Sequence, residues 1–387
     1  MNKRQIFWSL VRRQICGIEL SDDVKSQIDP DTLKMLHSVS KKYDISAIIS
    51  SAILNNSLSS DAEISALLNN DIMLSVMRYR QMEHEISAIS EIFEEANIPF
   101  IRLKGAFIRN LYPDKWMRTS CDIDILVREE ELDRAVAILS EKLAYEVRGE
   151  KAYHDISLFS KSGVHLELHF NICENKEKID ALLSKVWDYA APISAGRSEH
   201  TLTSEFMIFH ALAHASYHFL NGGCGIRSFI DLYLLENKLE YDKDLLRSFC
   251  RECSIEKFFD VSEKLSRVWL LGEEHDDLSS KVEEFILNGG IYGAVEASVA
   301  LNNEKSGGKL RYLLKRIFMP YKTICIKYPI LKKHPYLTPF YQVRRWFAVL
   351  FCGRVKEAKK EISLILSTDQ EKGKEIATLM DRVGLNM

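Results

Sequence analysis

The chain has 387 residues, 46% of them apolar, and a formal net charge of −3. That length favours two domains over one, and the apolar share supports a sizeable core. The charge excludes polyanion binding by bulk electrostatics alone. No run of about 18 apolar residues occurs, so no transmembrane segment is expected. Nor is a secretory leader: Ile6 to Leu10 is too short for the apolar region, and Arg12 and Arg13 interrupt it. Eight cysteines are scattered without a disulfide framework, and Cys250 and Cys253 lack the second pair of a zinc site. Reduced thiols and a cytoplasmic location are the expectation.

Residues 1–98 read as helical. Ile45, Ile48, Ile49, Ala52 and Ile53 keep helical spacing, as do Leu74, Met77, Met82, Ile86, Ile89 and Ile92. Asn55-Asn56-Ser57 and Asn69-Asn70-Asp71 predict turns or caps. Glu83-His84-Glu85 is a solvated polar face, since adjacent helical positions fan apart. Pro99 closes the last of these helices.

Phe100 to Leu103 predicts a strand ending at Gly105, and Ala106 to Tyr112 a short helix. Ile123, Ile125 and Val127 then alternate with Asp122, Asp124 and Leu126, the period of a second strand. Asp122 and Asp124 therefore share one side of a sheet. Two carboxylates so placed repel each other unless a cation lies between them or both face water. Oxygen-only ligation suits Mg²⁺ or Mn²⁺, ions that bridge to substrate phosphates.

The acidic turn Glu129-Glu130-Glu131 opens a helix to about Leu143. Ile156 to Phe159 and Val164 to Phe170 predict a hairpin around Ser160-Lys161-Ser162-Gly163, with His165, Glu167 and His169 on its polar face. His165 and His169 read as hydrogen-bonding neighbours and not as ligands, since Mg²⁺ prefers oxygen. His154-Asp155 precedes a strand, whereas phosphohydrolases carry such a pair on a helix.

After a linker at 191–196 the chain reads as helical again. His210, His214 and His218 lie near one helix face, with no acidic or Cys ligand at helical spacing between them. A packed face with hydrogen-bonded imidazoles is the expectation. The glycines at 222, 223 and 225 make an interhelical turn; no Gly-Lys-Ser/Thr follows to form a phosphate loop. Lys309 to Lys360 holds fourteen Lys and Arg against the single acid Glu357, interleaved with aromatics such as Tyr312, Phe318, Tyr336 and Trp346. That composition fits nucleic acid, a phosphorylated sugar or an anionic membrane surface, and equally an aromatic core with solvating lysines. Four prolines between 320 and 339 exclude one long helix, and Glu361 to Met387 reads as a terminal helix with a loose end.

Strand, glycine turn, helix and a second strand bearing Asp-x-Asp resemble the nucleotidyltransferase fold of the DNA polymerase beta-like superfamily. Leu103-Lys104-Gly105, Leu111-Tyr112-Pro113, Arg118 and Asp122-Ile-Asp-Ile-Leu-Val127 more closely resemble a family of bacterial proteins described only as nucleotidyltransferases. The resemblance spans roughly residues 70–350 and is sharpest from 103 to 127. It implies an α+β protein: a nucleotidyltransferase-like mixed-sheet core at 99–190, a helical region at 1–98, and a helical C-terminal region with the basic-aromatic tail at 191–387. It also implies a third metal carboxylate beside Asp122 and Asp124, and Glu167 is the matching position. Lys104 and Gly105 stand where the superfamily has its Gly-Gly or Gly-Ser phosphate turn, a departure from the pattern. Lys104 and Arg118 are then candidate phosphate ligands, and Lys115 a weaker one.

The expected activity is Mg²⁺- or Mn²⁺-dependent transfer of a nucleoside monophosphate from NTP to an acceptor, whether a small molecule, a protein or RNA. The other reading is a catalytically lapsed fold that binds a nucleotide or RNA; intact Asp122, Asp124 and Glu167 weigh against it. A histidine-based phosphohydrolase ranks lower still.

Overall fold

The computed structural model describes residues 3–149, 151–289, 295–351 and 355–385. Arg354 of the basic tail and the last two residues of the expected terminal helix lie outside them. Five helices come first: α1 (Lys3–Cys16), α2 (Asp22–Ser26), α3 (Pro30–Lys42), α4 (Ser46–Asn55) and α5 (Ala62–Glu95). Asp29, followed by Pro30 at the first helical position, caps α3 by accepting from the Thr32 amide. Asp61 caps α5 by accepting from the Glu63 and Ile64 amides.

The turn expected at residues 69–71 is not there, and α5 runs through it unbroken. Asn69 and Asp71 both have partners compatible with helix. Asn69 donates to the Ser65 carbonyl one turn back. The buried Asp71 carboxylate takes His37 at 2.8 Å and Lys41 at 3.0 Å from α3. Tertiary pairing overrides the local preference of Asn and Asp for turns.

Next come β1 (Phe100–Arg102), α6 (Lys104–Ile108), β2 (Asp122–Val127), α7 (Leu132–Leu143), β3 (Glu146–Val147), β4 (Asp155–Phe159), β5 (His165–His169), α8 (Glu177–Leu183), β6 (Ala190–Pro192) and β7 (Glu199–Leu202). Among the described residues they form a seven-stranded mixed sheet in the order β3-β4-β5-β2-β1-β7-β6. β2 runs parallel to β5 and antiparallel to β1, and β7 runs parallel to β1. The segment read as a linker at 191–196 instead begins in the edge strand β6, which pairs with β7. The sheet thus draws strands from beyond residue 190.

The alternation along β2 and β5 decides what each sheet face carries. Ile123, Ile125, Val127, Leu166 and Leu168 point one way, into a core with Met82, Ile86, Ile89 and Phe93 of α5 and Leu132, Ala135 and Leu139 of α7. The opposite face holds the polar members of both strands. It is overlaid by α9 (Ser204–Leu220) and α10 (Ile226–Lys238), whose apolar residues share a second core with α1, α3, α4, Ile101, Leu103 and Leu126.

Then follow α11 (Lys243–Glu252), α12 (Glu256–Leu271), α13 (Asp277–Gly289), α14 (Val295–Lys305), α15 (Lys309–Ile317), α16 (Tyr321–Lys327), α17 (Thr338–Phe351), α18 (Val355–Ser367) and α19 (Gln370–Arg382). The expected single terminal helix is two, broken where Asp369 caps α19 by accepting from the Glu371 amide. Cys250 and Cys253 are buried free thiols, and burial pushes both up to about 12. No helix among the described residues is long and apolar enough to cross a membrane.

One buried carboxylate ties the N-terminal helix α1 to α12 and α13. Glu283 on α13 accepts from the indole N–H groups of Trp8 and Trp269, each at 3.0 Å to Oε1, and from Arg4 at 2.9 Å to Oε2. The two indoles stack at 4.4 Å between ring centroids. Glu283→Ala leaves both indole donors without an acceptor and should cost about 3–5 kcal/mol in urea denaturation. Glu283→Gln keeps an oxygen at the Oε1 position and should lose only about 1–2 kcal/mol. Equal losses for the two variants would contradict this account.

Candidate active site

The register of β2 against β5 assembles the acidic centre. Asp122 pairs with His165, Asp124 with Glu167, and Leu126 with His169. Side chains at paired positions of adjacent strands lie on the same face, so Asp122, Asp124, His165, Glu167 and His169 converge. Ligating atoms of Asp124, Glu167 and His169 lie within 4.8 Å of one another, as do those of Asp122, His165 and Glu167. Glu167 belongs to both triads. It is the third carboxylate beside the Asp-x-Asp pair, one strand away and on the same face.

Charge governs the behaviour of this centre. Burial and the neighbouring Asp124 and Asp122 carboxylates push Glu167 up to about 7. Burial works the same way on Asp124, but the His169 hydrogen bond at 3.0 Å and the Lys104 charge outweigh it and hold Asp124 well below the usual carboxylate range. Ser120 Oγ lies 3.0 Å from an Asp122 oxygen and donates either to it or to the Asp122 carbonyl at 2.8 Å. His154 stacks nearly parallel on His169 at 5.5 Å and sits 3.3 Å from Asp155. His165 lies 3.1 Å from Ser157 Oγ and stacks on Phe159.

These carboxylates form one wall of a cleft of about 370 Å³. Lys104, Glu174, His210, His214 and His218 form the facing wall. His214 Nδ1 lies 2.9 Å from Lys104 Nζ and 2.8 Å from Glu174 Oε1, while its Nε2 is 2.9 Å from His218 Nε2. A single ring nitrogen cannot donate to Glu174 and accept from Lys104 together, so the two contacts belong to different tautomers. Burial and the Lys104 charge lower His214 and His210, and burial with His214 lowers His218 to about 4. Burial alone would raise Glu174, but His214 and Lys104 bring it down to about 2. At neutral pH the wall is an ammonium, a carboxylate and uncharged imidazoles.

Lys104 reaches the cleft from an unusual backbone position, with φ of 25° at the junction of β1 and α6. Gly105 follows for lack of room. A Cβ there would sit 3.0 Å from the Arg118 guanidinium and 3.4 Å from Ser120 Oγ. Arg118 lines the cleft, but its side chain is only 8% exposed and its Nε and Nη2 grip Asp231 of α10 at 3.0 and 2.7 Å. Asp231 also accepts from Tyr112 at 2.7 Å. Burial disfavours the Arg118 charge and Asp231 outweighs that, raising it. Lys115 is exposed and does not line the cleft.

Sequence reasoning brought Asp122, Asp124, Glu167, Lys104 and Gly105 to one place. Only Asp231, which enters through tertiary packing, had no expected role. Asp155 and Glu174 competed with Glu167 for the third carboxylate; Glu174 lines the cleft but pairs with His214. The His210, His214 and His218 spacing was the available signal, since three imidazoles on one otherwise apolar helix need polar company.

A mixed sheet with Asp-x-Asp on one strand, a carboxylate in register on the next and helices on both faces defines a nucleotidyltransferase-like α+β protein. The chain belongs to the uncharacterised nucleotidyltransferase family, whose sequence model matches residues 36–270. No curated protein and no solved structure matches it at significance.

The raised Glu167 gives a pH-dependent prediction. Its folded value of about 7 exceeds the ordinary 4.5, so the folded state holds this proton more tightly than the unfolded one. Wild type therefore loses stability as pH rises from about 4.5 to about 7, and the loss is complete above that window. Glu167→Gln should equal wild type below about pH 4.5 and exceed it by about 1–2 kcal/mol at pH 8 in chelator, the Coulomb part being discounted for partial exposure. Thermal melts of both proteins across this range measure the gap, and a gap independent of pH would refute the raised Glu167 value, to which burial contributes first and the neighbouring carboxylates second.

Proposed function

We propose that the protein is a Mg²⁺- or Mn²⁺-dependent nucleotidyltransferase that moves an NMP group from NTP to an acceptor hydroxyl or similar group. The observation that carries this reading is the in-register pairing of Asp124 with Glu167 beside Asp122. Three carboxylates with adjacent imidazoles form an oxygen-rich donor set that suits a hard divalent cation. Burial first, and the Asp124 and Asp122 charges next, raise Glu167; a bound cation would relieve the second of these. Asp122, Asp124 and Glu167 would hold it. When bound, it would supply neutralisation of the triphosphate and activation of the acceptor oxygen.

The remaining chemistry falls to the chain. An acceptor oxygen gives up its proton to water and bonds to the α-phosphorus, the bond from that phosphorus to the bridging oxygen breaks, and pyrophosphate departs with the electron pair. Lys104 faces the carboxylate wall and is the cation best placed for the departing phosphates. His214 and Glu174 steer its ammonium from behind. Arg118 holds the other end of the loop, braced by Asp231, so its first role is to position the Gly105 turn.

The test is incubation with each labelled NTP, with and without Mg²⁺ or Mn²⁺, following pyrophosphate release and transfer of label to protein, RNA or small-molecule acceptors. Metal-dependent turnover that Asp124→Asn abolishes supports the proposal. Metal-dependent nucleotide binding without turnover under any acceptor condition would favour the lapsed binding module instead.

Asp122→Asn and Asp124→Asn should each abolish Mg²⁺-dependent NTP binding; in chelator at neutral pH Asp124→Asn should melt below wild type, because the carboxylate charge that His169 and Lys104 hold stabilises the fold. Unchanged affinity in both variants, by calorimetry, would remove the site assignment. Lys104→Ala should weaken NTP at least about tenfold and NMP little, because a β- or γ-phosphate contact exists only in the triphosphate. An equal loss for both nucleotides would exclude that contact.

A further inference from the structure

The C-terminal helices expose apolar side chains in an ordered way. No residue of α15 is buried. Leu310, Leu314 and Ile317 are exposed, Leu310 at 70%. At 100° per residue these three fall within one narrow stripe. The same arithmetic puts Arg311 and Lys315 on one flank of the stripe and Lys309 and Arg316 on the other. α18 lies antiparallel beside it: Lys309 Nζ donates to the Leu366 carbonyl at 2.7 Å, and Arg316 pairs with Glu361. Exposed Ile362 and Leu366 therefore extend the apolar character into a two-helix unit. α17 joins at the end of α15, where Trp346 donates to the Ile317 carbonyl at 2.8 Å. It adds exposed Phe340 and Val343 one turn apart, with Phe340 at 64%.

We propose that this α15–α17–α18 surface seats the protein on an anionic membrane, the helices lying in the plane of the interface. Aliphatic stripes enter the acyl boundary while flanking Lys and Arg meet acidic headgroups, the arrangement of interfacial helices. The exposed Lys332 and Lys333 add to the same basic field. Two other occupants fit less well. Single-stranded nucleic acid could stack on exposed Phe318, Tyr336 and Phe340, but the α15 stripe of Leu310, Leu314 and Ile317 is aliphatic and cannot stack on a base. A second copy of the chain would bring two like-charged basic surfaces together. The proposal does not depend on the nucleotidyl-transfer reading.

Full-length protein is floated with vesicles of phosphatidylcholine alone and of phosphatidylcholine mixed with phosphatidylglycerol. Flotation with the acidic vesicles only, weakened by salt, is the expected result. Leu310→Ser with Leu314→Ser, and separately Lys332→Glu with Lys333→Glu, should each weaken it at least about tenfold. All four positions are exposed, so the thermal melt and metal-dependent nucleotide binding should stay as in wild type. Failure of wild type to float with acidic vesicles overturns the proposal, as does flotation that survives both double variants. RNA binding that the Leu310→Ser, Leu314→Ser double variant retains, or a dimer that it dissolves, combined with no flotation, would reassign the surface.

Discussion

Repulsion among three carboxylates on one sheet face is the constraint around which the rest of the site is arranged. Asp122 and Asp124 cannot be separated, because alternation along one strand puts both on the same side. The parallel register then adds Glu167 opposite Asp124. Left alone, such a cluster would protonate or come apart. The structure divides the load unequally: Asp124 keeps its charge through His169 and Lys104, and Glu167 yields, rising to about 7. Burial and this repulsion together make Glu167 the carboxylate that takes up a proton first.

The helices on both sides of the core do more than enclose it. α9 supplies His210, His214 and His218 to the cleft, and α10 supplies Asp231, which clamps Arg118. That clamp explains Gly105, since the guanidinium held by Asp231 occupies the space a Cβ would need. A further link runs from Arg227 on α10 to Asp44 and Thr119, joining the N-terminal helices to the loop before Asp122. The strand pair places the carboxylates, but the flanking helices fix the cations that face them. This accounts for the family's sequence model reaching from residue 36 to 270, well past the sheet on both sides.

What the sequence made legible follows from the range of each signal. Period-two alternation is local, so Asp122, Asp124 and Glu167 could be assigned to one polar face from their neighbours alone. Adjacency of β2 and β5 is non-local, and there the family resemblance did what periodicity could not. Asn69-Asn70-Asp71 misled because turn propensity is a weak prior, and His37 and Lys41 lie thirty or so positions away in the chain. The edge hairpin of β6 and β7 was hidden by Pro192 and Gly196, which read as a linker but here mark an edge strand and its turn. Arg118 read as a phosphate candidate from its place beside Asp-x-Asp; it does line the cleft, but its pairing with Asp231, over a hundred residues away, carried no local signal.

The Asp231 clamp also bears on which cation meets the substrate. A guanidinium gripped through Nε and Nη2 has its planar fork occupied, and fork geometry is what makes Arg the better ligand for phosphate oxygens. Lys104 carries no such clamp. Its Nζ shares His214 Nδ1 with Glu174, a contact that a change of tautomer makes or breaks. An ammonium on a flexible stem, held by one switchable neutral partner, is free to turn toward an arriving anion at small cost. A buried, bidentate ion pair gives up its partner only at several kcal/mol. The two cations therefore differ by their partners: Arg118 braces the turn through Asp231, and Lys104, the residue that departs from the superfamily's small-residue pattern, is the one left able to turn within the cleft.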